Sequence, residues 1–506
     1  MSKTLSDIET HLSTIAKNAG LGIVGQIFFI VVGFGTTLLI TRTIGPEQYG
    51  IYALAITIYS FVEISALMGL QPAMVKFVSQ YKAQGNVELI RGTIVFGLVS
   101  SLLASFILII GLFSSAELLA DRVFHETYLA PVLRIVLLGL PFSAVTLILF
   151  AALQGAKQVK HSVLVQQILM PVCRFISISA AFWFGYRLLG VAWCWMITSI
   201  FGFIMAIIFL TKKIGHIFTK PIVMEKKKIM SFSFPLLFNR FFYKNINLFG
   251  VLIIGILLSS YQVGIYSVAL RALPFFLIPF ASYEVIFPPI ISELFSKGKM
   301  DDLEKIYKKG SIWLVSLTLP LFVLIVFFSE QIVSVFGPGF AESAQIMSIL
   351  LVGQLISACA GSPGFILVMT GKVIYETVNS VLLCIINIIL TLFLISKYGL
   401  IGVAWAYSFS TAAVRLIQLV EVWYIHKITP FSIEYLKPII STILSFIIMY
   451  FLCGSFIGKD GLGSIFVLIS IFSTAYISLC LLFGLSDEDK TVLMHLGQKL
   501  HLIKKA

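Results

Sequence analysis

The 506-residue sequence predicts an all-α, polytopic membrane protein, and three observations carry that expectation. Hydrophobic residues make up 59% of the chain against 12% charged, with a mean hydropathy of +1.02. A soluble domain of that composition would be apolar over nearly its whole surface. Apolar runs long enough to cross a bilayer recur from Leu21 to Phe483, roughly 14 of them at about 20 residues each. Lys and Arg collect in alternate loops, the asymmetry that orients helices in a membrane. The net charge of +13 therefore follows from topology, and nucleic-acid binding is not expected.

The elements follow in order. Met1 to Gly20 is polar, so no cleavable signal peptide is expected. Leu5, Ile8, Leu12 and Ile15 recur at helical spacing, and residues 1–18 read as an amphipathic segment on the cytoplasmic membrane surface. Spans 1–6 occupy 19–211, an N-lobe, with Lys76, Lys82 and Arg91 after the second span and Lys157 and Lys160 after the fourth. A basic cytoplasmic linker, 212–229, holds Lys212, Lys213, Lys220 and Lys226 to Lys228. Spans 7–12 fill 230–425, a C-lobe, with Lys297, Lys299, Lys305, Lys308 and Lys309 after the eighth. Two more spans lie in 426–484, and 485–506 carries Leu493, Leu496, Leu500 and Ile503 as a second amphipathic tail. The intervening loops hold little beyond Arg122, Arg187, Lys397 and Lys459, which places both termini in the cytoplasm of a cell whose inner membrane the chain crosses.

The two lobes are read as copies. Gly50-Ile51-Tyr52 returns as Gly264-Ile265-Tyr266, 214 positions on, and Gly190-Val191-Ala192-Trp193 as Gly402-Val403-Ala404-Trp405, 212 positions on. Ala83 to Asn86 matches Ser296 to Lys299, and the Gly155 to Lys157 turn resembles Gly371-Lys372. Because six spans is an even number, both copies enter from one side, and a parallel repeat of this kind places a substrate between its halves near the midplane. Such a cavity is complete within one chain, so a monomer is expected.

Span 7 carries the chemistry. In FNRFFYKNINLFG, Phe238 to Gly250, residues Arg240, Tyr243, Lys244 and Asn247 share one helical face with Ser233. A cation at that depth costs about 2.5–3.5 kcal/mol even on the gentler insertion scale, so the stripe is expected to face protein or trapped water. Arg174 in span 5, Arg271 in span 8 and Arg415 in span 12 are also mid-span, with Arg134 nearer an end of span 4; the acids are Glu63 in span 2 and Glu284 in span 8. Any one cation is as readily half of a structural ion pair as part of a site, yet as a set they outnumber these acids. That surplus suits an anionic substrate, phosphate above all, with Glu63 or Glu284 available for ion coupling. Pro235, Pro274, Pro279 and the Gly361-Ser362-Pro363-Gly364 stretch are candidate hinges.

No enzyme, cofactor or metal site is indicated. The seven His residues read as loop or tail residues, the six Cys show no paired spacing, and no phosphate-binding Gly-rich loop ending in Lys and Ser or Thr is present. A membrane glycosyltransferase or polymerase would call for catalytic acids on sizeable loops, and here every loop is short.

The segment Thr41 to Asn86 resembles the first-to-third-span region of the Wzx-type polysaccharide flippases of the multidrug/oligosaccharidyl-lipid/polysaccharide exporter superfamily. The matching residues are Gly45-Pro46-Glu47, Tyr49-Gly50 with Tyr52, Gly69-Leu70, Phe77-Val78 and the Lys82 to Gly85 turn, supported by the Gly-Val-Ala-Trp signatures of spans 6 and 12. Met68 departs from the small or acidic residue many members carry there. The resemblance implies two six-helix lobes plus two C-terminal helices around a central cavity. It implies movement of an undecaprenyl-pyrophosphate-linked repeat unit, of O-antigen (lipopolysaccharide) or capsule type, to the outer leaflet, with membrane lipids and a polysaccharide polymerase or assembly proteins as partners. Arg240, Lys244, Arg271, Arg174 and Arg415 would meet the pyrophosphate, helped by Tyr243 and Asn247. An ion-coupled multidrug exporter and a peptidoglycan-precursor flippase are the nearest alternatives. Cationic drugs would call for an acidic basin, and the first span carries no charge.

Overall fold

The computed structural model describes the backbone of residues 2–213, 223–244, 246–453 and 461–484. It describes their side chains except for 2–21, 238–240, 242–244, 247, 281–282, 285 and 462. The C-terminal amphipathic tail expected at 485–506 lies outside the described residues, as do the side chains of the amphipathic segment at 1–18 and those of Arg240, Tyr243, Lys244 and Asn247.

All regular structure among the described residues is helical. In chain order the first half holds α1 (Ser2–Ala66), α2 (Leu70–Ala83), α3 (Val87–Leu118), α4 (Leu129–Leu137), α5 (Leu140–Gly155), α6 (Val159–Val163), α7 (Met170–Trp183) and α8 (Leu188–Lys213). The second half holds α9 (Lys226–Lys244), α10 (Ile246–Leu257), α11 (Ser260–Ala269), α12 (Leu273–Phe276), α13 (Ile278–Ser296), α14 (Met300–Phe327), α15 (Ser329–Ser334), α16 (Ser343–Cys359), α17 (Pro363–Met369) and α18 (Val373–His426). The pair α19 (Leu436–Leu452) and α20 (Leu462–Leu482) follows.

Among the described residues, eight helices are long and apolar enough to cross a membrane, ten if each bent pair is one span. The chain is a multi-pass membrane protein. Two of the eight are double passages joined at a glycine. At Gly45 (φ 77, ψ 178) the backbone leaves the helix, and Pro46 restarts it in the position where its missing N–H does no harm. At Gly399 (φ 54, ψ −134) α18 reverses in a conformation that only glycine adopts without strain. Gly399→Ala is accordingly expected to destabilise the protein by about 1–3 kcal/mol, read as a lower midpoint of thermal unfolding in micelles.

The sequence repeat reappears in the backbone. Left-handed residues recur 214 positions apart as His125 and Gly339, Lys157 and Gly371, and Gly185 and Gly399. Turns of the two halves thus share their conformation even where glycine is replaced by a residue that adopts it less readily. The expected breaks at Pro274–Pro279 and Gly361–Gly364 are present, the second as a 48° bend between α16 and α17. Pro235, expected to open span 7, instead lies inside α9, which begins at Lys226. The last lysines of the expected linker are therefore its first turn, because a helix leaving the membrane continues while its own carbonyls and water satisfy the backbone. The break at Met68–Gly69, followed by Pro72, and the π-helical turn at Leu164–Leu169, followed by Pro171, were not among the expected hinges. His161 and His426, read as loop residues, lie on helices, with His426 Nε2 2.9 Å from Thr370 Oγ1.

One buried cluster runs through both halves, from Ile40 to Ile428, whereas Leu67 to Ile229 forms a second core confined to the first half and the start of α9. The halves are thus fused at the end carrying Gly50 and Gly264 and hold separate cores toward the lysine-rich end. The fusion point is the repeat itself. A Cβ on Gly50 would stand 1.7 Å from the Ser260 carbonyl oxygen, and one on Gly264 would stand 2.1 Å from that of Pro46. Residue 50 meets 260 while 264 meets 46, the reciprocal pattern of a two-fold axis between equivalent surfaces. The flanks follow suit: Glu126 Oε1 accepts from the Ser260 N–H at 3.3 Å, and at the equivalent place Phe340 packs edge-on to Tyr49.

Candidate functional site

Near the fused end two arginines, one from each half, come within electrostatic reach of Tyr52. Arg174 reaches it from α7. The π-helical turn just before α7 inserts extra backbone and so resets the face that α7 presents, a device common at functional positions. Its guanidinium carbon lies 4.0 Å from the centroid of the Trp195 ring, and its Nε is buried without a hydrogen-bond partner. Stacking on an indole holds the planar group while leaving N–H groups for something else.

Arg271 comes from the second half, in the 3-10 turn between α11 and α12 that precedes Pro274. Its Nε donates to Tyr49 Oη at 3.4 Å. Arg271 is exposed. Arg174 and Arg271 lie within electrostatic reach of each other, and both of Tyr52. Neither forms an ion pair with a carboxylate among the described residues. Two cations within electrostatic reach and without bound acids are unfavourable unless an anion or water separates them.

Glu63 lies within electrostatic reach of Arg174 and accepts from Tyr59 Oη at 3.2 Å; that hydroxyl also hydrogen-bonds Ser143 Oγ across to α5. Glu63 is thus an acid beside Arg174, held in a hydrogen-bonded chain. Tyr59 and Tyr266 are each 1% exposed and pack inside the helices, whereas the phenol of Tyr52, 6% exposed, approaches both guanidiniums. Helices α9 and α10 pass the same region, because Phe61 packs tilted against Phe241 at 5.5 Å and edge-on against Phe249 at 5.0 Å. The helix bearing Arg240 and Lys244 is thus a neighbour of the Glu63 helix.

Arg415 stands apart. Its Nε donates to Ser357 Oγ at 3.2 Å and a terminal nitrogen donates to Gln418 Oε1 at 2.8 Å; Gln418 Nε2 then donates to Glu376 Oε2 at 2.7 Å. Glu284 lies within reach of this arginine, and Glu421 accepts from the buried Asn379 at 2.6 Å close by. This second polar group is internal to the second half and is balanced by acids. Glu376 and Glu421 were missed in the sequence because they fall near helix ends, where carboxylates read as solvated. Their i, i+3 spacing to Asn379 and Gln418 was the available signal. Arg134 pairs with Glu117 at 3.0 Å near the surface, so Arg134→Gln is expected to change stability by less than about 1 kcal/mol.

Outside the membrane, Glu225 accepts from Lys228 at 2.7 Å and binds the Tyr81 hydroxyl, which ties the segment before α9 to α2. The hydrogen bond from Lys228 holds the Glu225 carboxyl below its ordinary range. A depressed carboxylate contributes above its unfolded pKa and loses its contribution as pH falls through its folded value. Acidification is therefore expected to loosen this tie, seen as faster protease cleavage within 212–229, and Glu225→Gln should remove that acid dependence.

A family model described as "Polysaccharide biosynthesis protein" matches residues 15–295, more than half of the chain. The chain belongs to that family. A second model, MatE, matches 235–393 within the second half. The probable low-salt glycan biosynthesis flippase Agl15 of Haloferax volcanii is 25% identical to this family member over 94% of this chain and 95% of its own. An uncharacterised membrane protein of Methanocaldococcus jannaschii is 23% identical over 78% of this chain and 81% of its own. Among solved structures, the lipid II flippase MurJ in an inward closed conformation superposes with a TM-score of 0.74 at 17% identity, covering 92% of this chain and 98% of MurJ. An inward-facing multidrug resistance MATE transporter of the MOP superfamily gives 0.68 at 12% identity, covering 81% and 98%. The fold is that of this superfamily, as the residues from Thr41 to Asn86 led one to expect.

Proposed function

We propose that this family member is a flippase for a lipid-linked oligosaccharide, working by alternating access through the basin between its lobes, 19–211 and 230–425. The observation that carries the reading is the pair Arg174 and Arg271, one from each half and within electrostatic reach of each other, without ion-pair partners among the described residues. Paired guanidiniums suit the oxygens of a pyrophosphate, each fork engaging a phosphoryl group. Arg240, Lys244, Tyr243 and Asn247 extend the basin along α9 in this reading. Arg415 takes a structural part beside Glu376, and Glu63 or Glu284 serves ion coupling. Nothing in this mechanism calls for a catalytic group.

In this reading the lysine-rich loops and both termini lie on the cytoplasmic side of the cell membrane, the basin opens to that side, and the Gly50–Gly264 crossing closes the outer end. An anion loaded from inside would then leave outward with an inside-negative potential, worth roughly 2.3 kcal/mol per charge per 100 mV. The relative Agl15, a probable glycan biosynthesis flippase by its description, supports the glycan. The undecaprenyl carrier comes from the resemblance. In a test, purified protein is reconstituted into vesicles containing undecaprenyl-pyrophosphate-linked oligosaccharide. The glycan is expected to become reachable by an impermeant oxidant faster than in protein-free vesicles. Equal rates would overturn the reading.

A further inference from the structure

Each half lays one loop across the other at the fused end. In the first half the loop between α3 and α4, residues 119–128, sets the buried Phe124 ring against Gly255 of α10, where a Cβ would stand 3.2 Å from the ring. Its Glu126 Oε1 accepts from the N–H of Ser260, the first residue of α11, at 3.3 Å. In the second half the loop between α15 and α16, residues 335–342, sets two buried rings on α1. Phe336 packs edge-on to Phe34 at 5.0 Å and Phe340 edge-on to Tyr49 at 6.4 Å, on either side of the Gly45 kink. Arg42 Nε, from α1, donates to the Val335 carbonyl of that loop at 2.7 Å. The positive φ of Gly337 (112°) and Gly339 (91°) turns the loop between its two rings, with Gly337 over Arg42 and Gly339 over Pro46.

These contacts are of two kinds. The rings make apolar contacts, which have no direction and tolerate sliding. The two hydrogen bonds do not. Each brings a charged side chain of the first half to a main-chain group of the second, Arg42 to a carbonyl and Glu126 to an N–H. The charge makes each bond stronger than a neutral one, and its geometry makes it lapse once the partners draw apart by about an ångström. The carboxylate also meets the positive end of α11. Neither charge belongs to the repeat, because 214 positions on from Arg42 and Glu126 stand Ile256 and Phe340. Beside the two-fold crossing of Gly50 and Gly264 lie two polar ties that the symmetry does not call for. Arg42 is exposed and Glu126 partly so, which lets water take over from either tie when it breaks.

We infer that Arg42 and Glu126 are the two latches of the outer gate, holding the halves together at the fused end and releasing before the basin opens outward. This deepens the flippase reading and rests on it. The latches set how often the gate opens, not what the basin binds.

The test uses Val268→Cys, at a position buried beside the crossing, in the full chain with its six native cysteines replaced by alanine. Its labelling by a membrane-impermeant maleimide is followed in sealed vesicles. Arg42→Ala and Glu126→Ala should each speed labelling about tenfold, the weight of one charge-assisted hydrogen bond, and together about a hundredfold, since they act at separate places. Thr43→Ala should leave the rate unchanged, because that hydroxyl donates to the Leu39 carbonyl of its own helix. Arg42→Cys with Val335→Cys, joined by a reducible thiol crosslinker, should stop glycan translocation until reductant is added, and this arm decides if an alanine variant folds poorly. Wild-type labelling rates in both alanine variants, an equal rise in Thr43→Ala, or undiminished translocation with the crosslink in place would each overturn the latch. Labelling needs no substrate, so the expected rates in a protein that moves no glycan would overturn the flippase reading and leave the latch standing.

Discussion

Replacing Arg174 and Arg271 by Gln, singly and together, is expected to abolish glycan translocation while leaving protein abundance unchanged. Each guanidinium offers charge-assisted hydrogen bonds worth about 1.5–3 kcal/mol to an ionised acceptor, so each single variant should lose transport by about 10- to 100-fold. The double variant should fall to the rate of empty vesicles. Stability should hold or rise, because the two cations lie within each other's reach without ion-pair partners among the described residues. Arg271→Lys is the informative companion. It keeps the charge and discards the fork, so partial transport is expected if the ligand is bound through two oxygens. Full transport by the double variant would move the anion site elsewhere on the basin wall, with Arg240 and Lys244 next to be replaced.

Gly50→Val and Gly264→Val are expected to stop transport by a different route. A Cβ at either position would meet a carbonyl oxygen at 1.7 Å or 2.1 Å, and that oxygen belongs to helix backbone, which cannot swing aside. The two halves must separate at this end, which opens the closed roof and holds it open. Cysteines placed at Tyr52 and Val268, both buried in the closed roof, should become reactive to a membrane-impermeant thiol reagent from the outer side in the valine variants only. Unaltered transport by either variant would mean that the crossing is not a gate. Because the contact is reciprocal, both substitutions should give the same phenotype, a check that a merely local disturbance would fail.

Much of the architecture was legible from composition. A chain with 59% hydrophobic residues has few options beyond helices in a bilayer, because backbone polar groups must then be satisfied within each segment. The repeat was legible too, because Gly50 and Gly264 are small for a shared reason: each lies where the equivalent helix of the other half crosses. The breaks at Met68–Gly69 and Leu164–Leu169 were not anticipated, although Pro72 and Pro171 follow them, because a proline marks where a helix can be interrupted and not the form the interruption takes. Such irregularities are set by what packs beside the helix; at Gly69 a Cβ would meet the Ser233 carbonyl oxygen at 2.2 Å.

The candidate site divides in the same way. By itself the sequence determined that cations lie at membrane depth, since hydropathy measures depth whatever the partner. It did not determine which cations share a space. Arg174 and Arg415 look alike in sequence, each a lone arginine within an apolar run. Only the tertiary structure decided that Arg174 comes within electrostatic reach of Arg271 from the other half while Arg415 is absorbed by Gln418 and Glu376. The reason is physical: depth is a property of one helix, but the charge felt by a ligand is a sum over helices distant in the chain, and only their packing brings those terms together.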